Sequence, residues 1–147
     1  MNTFVIYDSV YGNTEKIAQV ISYTLGGGTK LLRISEVKFS DITAGDLVFI
    51  GGPTQAGRPT KQMQEFLNNI PANGLKGVDV IVFDTRLTTK FVAIFGYAAG
   101  KIAAAVKKNG ANLKGSPEGF FVKKGEGPLV ETEIERAAAW AKSIAAR

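Results

Sequence analysis

Tyr7-Asp8-Ser9-Val10-Tyr11-Gly12-Asn13-Thr14-Glu15-Lys16-Ile17-Ala18 decides how the rest of this chain reads. The apolar run Phe4-Val5-Ile6 just before it reads as a buried strand. A small polar loop then passes almost at once into a helical pattern. Strand, tight hydroxyl-rich loop and helix N-terminus together suit a phosphate. The helix start offers unpaired N–H groups and the positive end of its dipole. Ser9, Thr14 and the amide of Asn13 add side-chain donors. Gly12 lets the backbone approach a ligand with no Cβ in the way. The loop itself holds no Lys or Arg, so the phosphate would be held by neutral donors.

Outward from this loop, strands and helices alternate. A first strand near residues 3–9 is followed by a helix from about Gly12 to Leu25, with Ile17, Ile21 and Leu25 on one stripe. A second strand lies near residues 30–34. The third is Leu47-Val48-Phe49-Ile50, stopped by Gly51-Gly52-Pro53. A second helix covers about residues 61–69, with Met63, Phe66, Leu67 and Ile70 at helical spacing. A fourth strand covers 78–83, a third helix about 98–109, a fifth strand 119–122 and a last helix about 130–146. Near-continuous apolar strands in βαβ alternation predict an α/β fold, a parallel sheet covered by helices on both faces. The 147 residues form one domain, 1–147, with no repeat and no linker. Trp140 is read as core packing.

Composition narrows the chemistry. There is no Cys and no His, which removes disulfides, Cys or His catalysis and an ordinary zinc site. Redox work would belong to a bound cofactor. No stretch has the length of a membrane span, the N-terminus lacks a signal-peptide pattern, and a cytoplasmic location is expected. The net charge is +5, and the excess Lys reads as a solubilising surface. No basic run with interleaved aromatics points to nucleic acid.

Ser9-Val10-Tyr11-Gly12-Asn13-Thr14 resembles the phosphate-binding loop of flavodoxins, Ser/Thr-x-Thr-Gly-x-Thr. Ser9, Gly12 and Thr14 match, and Tyr11 replaces the middle hydroxyl residue. Phe83-Asp84-Thr85-Arg86 resembles a segment of short flavodoxin-like proteins, and the end of the chain, from Phe120-Phe121-Val122 through Gly127-Pro128-Leu129 to the helix with Trp140, is similar as well. The resemblance implies a three-layer, doubly wound fold with a five-stranded parallel sheet in the order 2-1-3-4-5 and a ligand at the strand C-termini. It implies one non-covalent FMN. Ser9, Val10, Tyr11, Gly12, Asn13 and Thr14 would hold its phosphate. Pro53, Thr54, Gln55, Ala56, Gly57, Asp84, Thr85 and Arg86 would complete the cofactor site around the ring, with Asp84–Gly96 as a loop and Arg86 bringing a positive charge towards N1. Receiver domains share the fold but need an Asp at the end of the third strand, where this chain has Ile50-Gly51.

Two features depart from the flavodoxin pattern. Flavodoxins are commonly acidic, and the 53–60 loop here lacks their stacking aromatic. Tyr11, Phe91, Phe95 and Tyr97 are the candidates to replace it. The apolar run Phe91-Val92-Ala93-Ile94-Phe95 reads as an early turn of the third helix, a flap, a substrate wall or a dimer contact. The leading reading is an electron carrier working with redox partner proteins, as a monomer or weak dimer. An FMN-dependent reductase of quinones or similar apolar acceptors is the second reading, and a flavin-free binding module the third.

Overall fold

The apolar runs pair in parallel around the first strand. A computed structural model describes residues 1–88 and 97–146. The elements are β1 (Thr3–Tyr7), α1 (Asn13–Leu25), β2 (Thr29–Arg33), two single 3₁₀ turns, β3 (Leu47–Pro53), α2 (Lys61–Asn68), β4 (Asp79–Leu87), α3 (Ala98–Lys108), β5 (Asn112–Leu113), β6 (Glu118–Val122) and α4 (Glu133–Ala145). The sheet order is β2-β1-β3-β4-β5, all parallel, and β6 also pairs with β4. The fifth position is therefore one edge in two pieces. β5 registers Asp79 with Asn112, and β6 registers Phe83 with Glu118.

Alternation along each strand divides the core into two layers. Phe4, Ile6, Val48, Ile50, Val80 and Val82 meet Met63 and Leu67 of α2 and Ala98, Ile102 and Val106 of α3. Val5, Phe49, Ile81, Phe83 and Phe120 meet Ile17 and Ile21 of α1 and Ala137, Ala141 and Ile144 of α4. Trp140 belongs to this second layer. Its ring makes edge contacts with Phe49 and Phe120, both at 5.6 Å, and with Phe83 at 6.2 Å.

Two strands run further than their residues suggested. β3 does not stop at Gly51 but continues to Pro53, and β4 continues to Leu87. Each extends the other, because Gly51, Gly52 and Pro53 register with Phe83, Asp84 and Thr85. Gly51 is suited to this place because a Cβ there would lie 2.3 Å from the Phe83 ring. Phe83 is fully buried. Gly51→Ala is expected to destabilise the fold by about 3 kcal/mol, the upper end of ordinary overpacking. Chemical denaturation checks this, and a loss below about 0.5 kcal/mol, the usual size of a surface change, would show that the ring can move aside.

The last helix starts three residues later than its periodicity indicates, at Glu133. The chain before it folds back on β6, where the Val130 amide bonds the Phe121 carbonyl at 2.9 Å. The buried Glu133 carboxylate then accepts from the Phe121 amide at 2.8 Å and from Arg136 Nε at 3.0 Å. Burial alone would raise its pKa, but the Arg136 and Phe121 bonds outweigh that and hold it below the usual Glu value. Among the described residues, no helix is long and apolar enough to cross a membrane. The 91–95 run lies outside the described residues.

Candidate functional site

The loop from β1 to α1 is built by its own side chains. Ser9 Oγ accepts from the Gly12 amide at 3.1 Å and from the Glu15 amide at 3.3 Å. Both lone-pair directions are then used, and the Ser9 proton is left to donate outward. Gly12 sits at φ 92°, in the left-handed region that a residue with a Cβ enters at a cost, and it turns the chain into α1. Among the described residues, the amides of Val10, Tyr11, Asn13 and Thr14 donate to no protein group. Asn13 Nδ2 ties the loop to the Glu126 carbonyl at 3.1 Å. The Thr14 and Thr85 hydroxyls, both buried, share one hydrogen bond of 2.8 Å. Two hydroxyls with one bond between them keep one proton to donate.

These groups surround a cavity of about 50 Å³ at the C-terminal ends of β1, β3 and β4. Ser9, Val10, Tyr11, Asn13 and Thr14 line it on one side, and Pro53, Thr54, Thr85 and Arg86 on another. Leu87, within the expected Asp84–Gly96 loop, also lines it, as do Val122 and Gly125, which were not expected at the site. The signal available for the last was the Gly125-Glu126-Gly127-Pro128 turn after β6. Thr54 Oγ1 accepts from the Ala98 amide at 3.1 Å, which places the start of α3, and among the described residues the Thr54 hydroxyl donates to no protein group.

Three carboxylates close to the cavity, those of Asp8, Glu15 and Asp84, are engaged elsewhere. Asp8 accepts from Thr60 Oγ1, the N-cap of α2. Glu15 accepts from Tyr7 Oη at 2.7 Å and from Arg33 at 2.9 Å. Burial, and then the bond and charge of Glu15, push the Tyr7 hydroxyl up to about 12. Asp84 takes both Arg86 Nε at 2.7 Å and Arg86 Nη2 at 2.9 Å, together with the Ala99 amide at 2.9 Å. A small cavity ringed by unspent N–H and O–H donors at a helix N-terminus, with Asp8, Glu15 and Asp84 tied back, fits a phosphate.

Three expectations change with this geometry. Asp84, Thr85 and Arg86 are not in a loop but on β4, because its pairing with β3 and β6 carries it to Leu87. Asp84 is 0% exposed and its acceptors are spent on Arg86 and Ala99, so it lies beneath the site rather than on the cavity wall. Arg86 does not bring a free positive charge, since Asp84 neutralises it in a bidentate pair. The Arg86 guanidinium lies 3.5 Å from the Tyr97 ring centre, and a Cβ on Gly119 would meet it at 2.2 Å. Tyr97 is therefore occupied, and Tyr11, 57% exposed at the cavity, is the described aromatic still available.

Gln55, Ala56 and Gly57 form a tight turn next to the cavity rather than part of its lining. Gln55 and Arg58 exchange both backbone bonds, at 2.7 and 3.0 Å, around Ala56 at φ 49° and Gly57 at φ 79°. Two successive positive φ values define the mirror-image hairpin turn that prefers Asn-Gly. Ala56 pays for its left-handed backbone there. Ala56→Gly is expected to raise stability by about 0.5–1 kcal/mol, read as a higher denaturation midpoint. No gain would mean the turn relaxes around the Ala Cβ.

In a doubly wound parallel sheet, a cavity at the C-terminal end of the first strand lies where this architecture takes its ligands. The chain belongs to the flavodoxin domain family, whose model matches residues 4–116. No curated protein sequence matches it. Among solved structures it is similar to oxidised flavodoxin 2 from Bacillus cereus, at 21% identity and TM-score 0.81, covering 99% of both chains. It is also similar to a short-chain flavodoxin associated with a bacterial microcompartment, at 19% identity and TM-score 0.77, covering 99% of this chain and 98% of that one. A rubredoxin:oxygen oxidoreductase from Desulfovibrio gigas matches at 22% identity and TM-score 0.72, covering 99% of this chain but 35% of the larger protein.

Proposed function

We propose that this protein is an electron carrier that works through non-covalently bound FMN. The observation behind this reading is the cradle itself: four unpartnered amides and the outward protons of Ser9 and the Thr14–Thr85 pair, converging on a phosphate-sized cavity. Membership of the flavodoxin domain family supports it. FMN supplies the one- and two-electron chemistry that a chain without Cys or His lacks. The Val10, Tyr11, Asn13 and Thr14 amides hold the phosphate, and the dipole of α1 favours its charge. Thr54 and the backbone of β3 and β4 border the ring, and Tyr11 offers it an aromatic face. The Asp84–Arg86 pair fixes the end of β4 while adding little net charge beside the cofactor. The protein positions the cofactor and sets its surroundings, and no side chain acts as acid or base.

Reconstituted with FMN and reduced by light, the protein should pass electrons rapidly to ferricyanide. It should oxidise NADPH no faster than free FMN does. Sustained NADPH oxidation in the presence of a quinone would replace the carrier with a reductase. Failure to retain FMN would remove both readings.

A further inference from the structure

One groove on the α2–α3 side of the sheet carries charge of a single sign. It encloses about 290 Å³ and is lined by Arg58, Pro59, Gln64, Leu67, Lys101 and Ala105, among others. Its floor is apolar and its rim is cationic. Lys108 falls on the same stripe of α3 as Lys101 and Ala105, about 10 Å further along the helix. Lys61, at the start of α2, falls between the faces that carry Gln64 and Glu65 and borders the groove next to Asn68. α3 contains no Asp or Glu. Glu65, the one carboxylate of α2, lines the opposite cavity with Tyr7, Asp8 and Arg33. Among the described residues, which include every Asp and Glu of the chain, none forms a salt bridge with Arg58, Lys61, Lys101 or Lys108.

The groove begins at the turn beside the cofactor cavity. Lys101 Nζ donates to the Gly57 carbonyl at 2.7 Å, and Gln64 Nε2 donates to the Pro59 carbonyl at 2.9 Å. Lys101 keeps two further N–H donors, so it can hold the turn and meet a carboxylate together. Opposite charge on a partner would speed encounter and fix orientation, and the apolar floor of Pro59, Leu67 and Ala105 would hold the contact. Among the described residues, the lining offers no aromatic for stacking nucleic-acid bases.

We propose that this groove docks an acidic redox protein, which places carboxylates against Arg58, Lys61, Lys101 and Lys108 and brings its redox centre up to the 53–58 turn. The proposal rests on the electron-carrier reading and names the partner surface that reading requires. The net charge of +5 is then partly a concentrated binding feature.

The test is a calorimetric titration with an acidic plant-type [2Fe–2S] ferredoxin as probe, on FMN-loaded and FMN-free protein. Binding should weaken at least tenfold between about 20 and 200 mM salt. The double variant Lys61→Glu with Lys108→Gln should bind about tenfold more weakly at low salt, whereas Lys142→Glu, on α4 across the sheet, should stay within about twofold of the unchanged protein. Circular dichroism on each variant confirms that it is folded. Equal binding by the double variant, or an equal loss with Lys142→Glu, overturns the assignment. Binding of a short DNA duplex or of phosphatidylserine vesicles as tightly as ferredoxin also overturns it, because the groove would then read charge alone. Absence of FMN uptake would sink the carrier reading by itself, while the FMN-free titration would still decide the groove.

Discussion

Replacing Ser9 with Asp is expected to lower FMN affinity at least a thousandfold while leaving riboflavin binding and stability almost unchanged. Ser9 Oγ accepts from the Gly12 and Glu15 amides, and an Asp carboxylate can accept from the same groups. The loop therefore keeps its shape. What changes is the outward face, where a proton donor gives way to a negative charge. At about 4 Å and an effective dielectric near 20, each like-charge pair costs about 4 kcal/mol, close to three powers of ten in binding. Riboflavin has no phosphate and should not register the change. A drop below about tenfold for FMN, or an equal loss for riboflavin, would place the phosphate away from Ser9. Fluorescence titration with both ligands reads the difference directly.

Asp84→Ala is expected to cost about 3–5 kcal/mol of stability, the range for breaking one partner out of a buried ion pair. The Asp84 side chain is fully buried and that of Arg86 is 15% exposed, so the guanidinium stranded between Tyr97 and Gly119 has little access to water. The Ala99 amide at the start of α3 would also lose its acceptor. The pair must be separated from simple loss of volume. Asp84→Ala combined with Arg86→Met should therefore regain at least half of the loss, since no charge then remains buried. Denaturation of the two variants side by side checks this. A cost below about 1 kcal/mol for Asp84→Ala would mean that water already solvates the carboxylate.

The sequence showed the loop at Ser9–Thr14 because its signal is local. Hydroxyls, a Gly and a helix start act on one another within a few residues, and the structure contains those contacts. The sheet order was accessible through the flavodoxin resemblance and the helix–strand alternation. The ends of β3 and β4 were not, because Gly51-Gly52-Pro53 looks like a stop until it is paired with Phe83-Asp84-Thr85. The role of Asp84 was hidden for the same reason. A carboxylate next to Thr and Arg reads as a polar loop, and only the long-range approach of Ala99 and Gly119 shows it to be a buried anchor. The late start of α4 goes with the fold-back that pairs Leu129 with Val122. Helical periodicity carries no trace of that pairing.

The measurement that bears most directly on the central claim is an absorbance titration of the purified protein with FMN, with riboflavin and inorganic phosphate in parallel. The expected result is stoichiometric FMN binding with a shifted flavin spectrum, riboflavin binding at least a hundredfold weaker, and displacement of FMN by excess phosphate in preference to chloride. Equal affinity for FMN and riboflavin, or no binding of either, would contradict the assignment of the Ser9–Thr14 loop as the phosphate cradle.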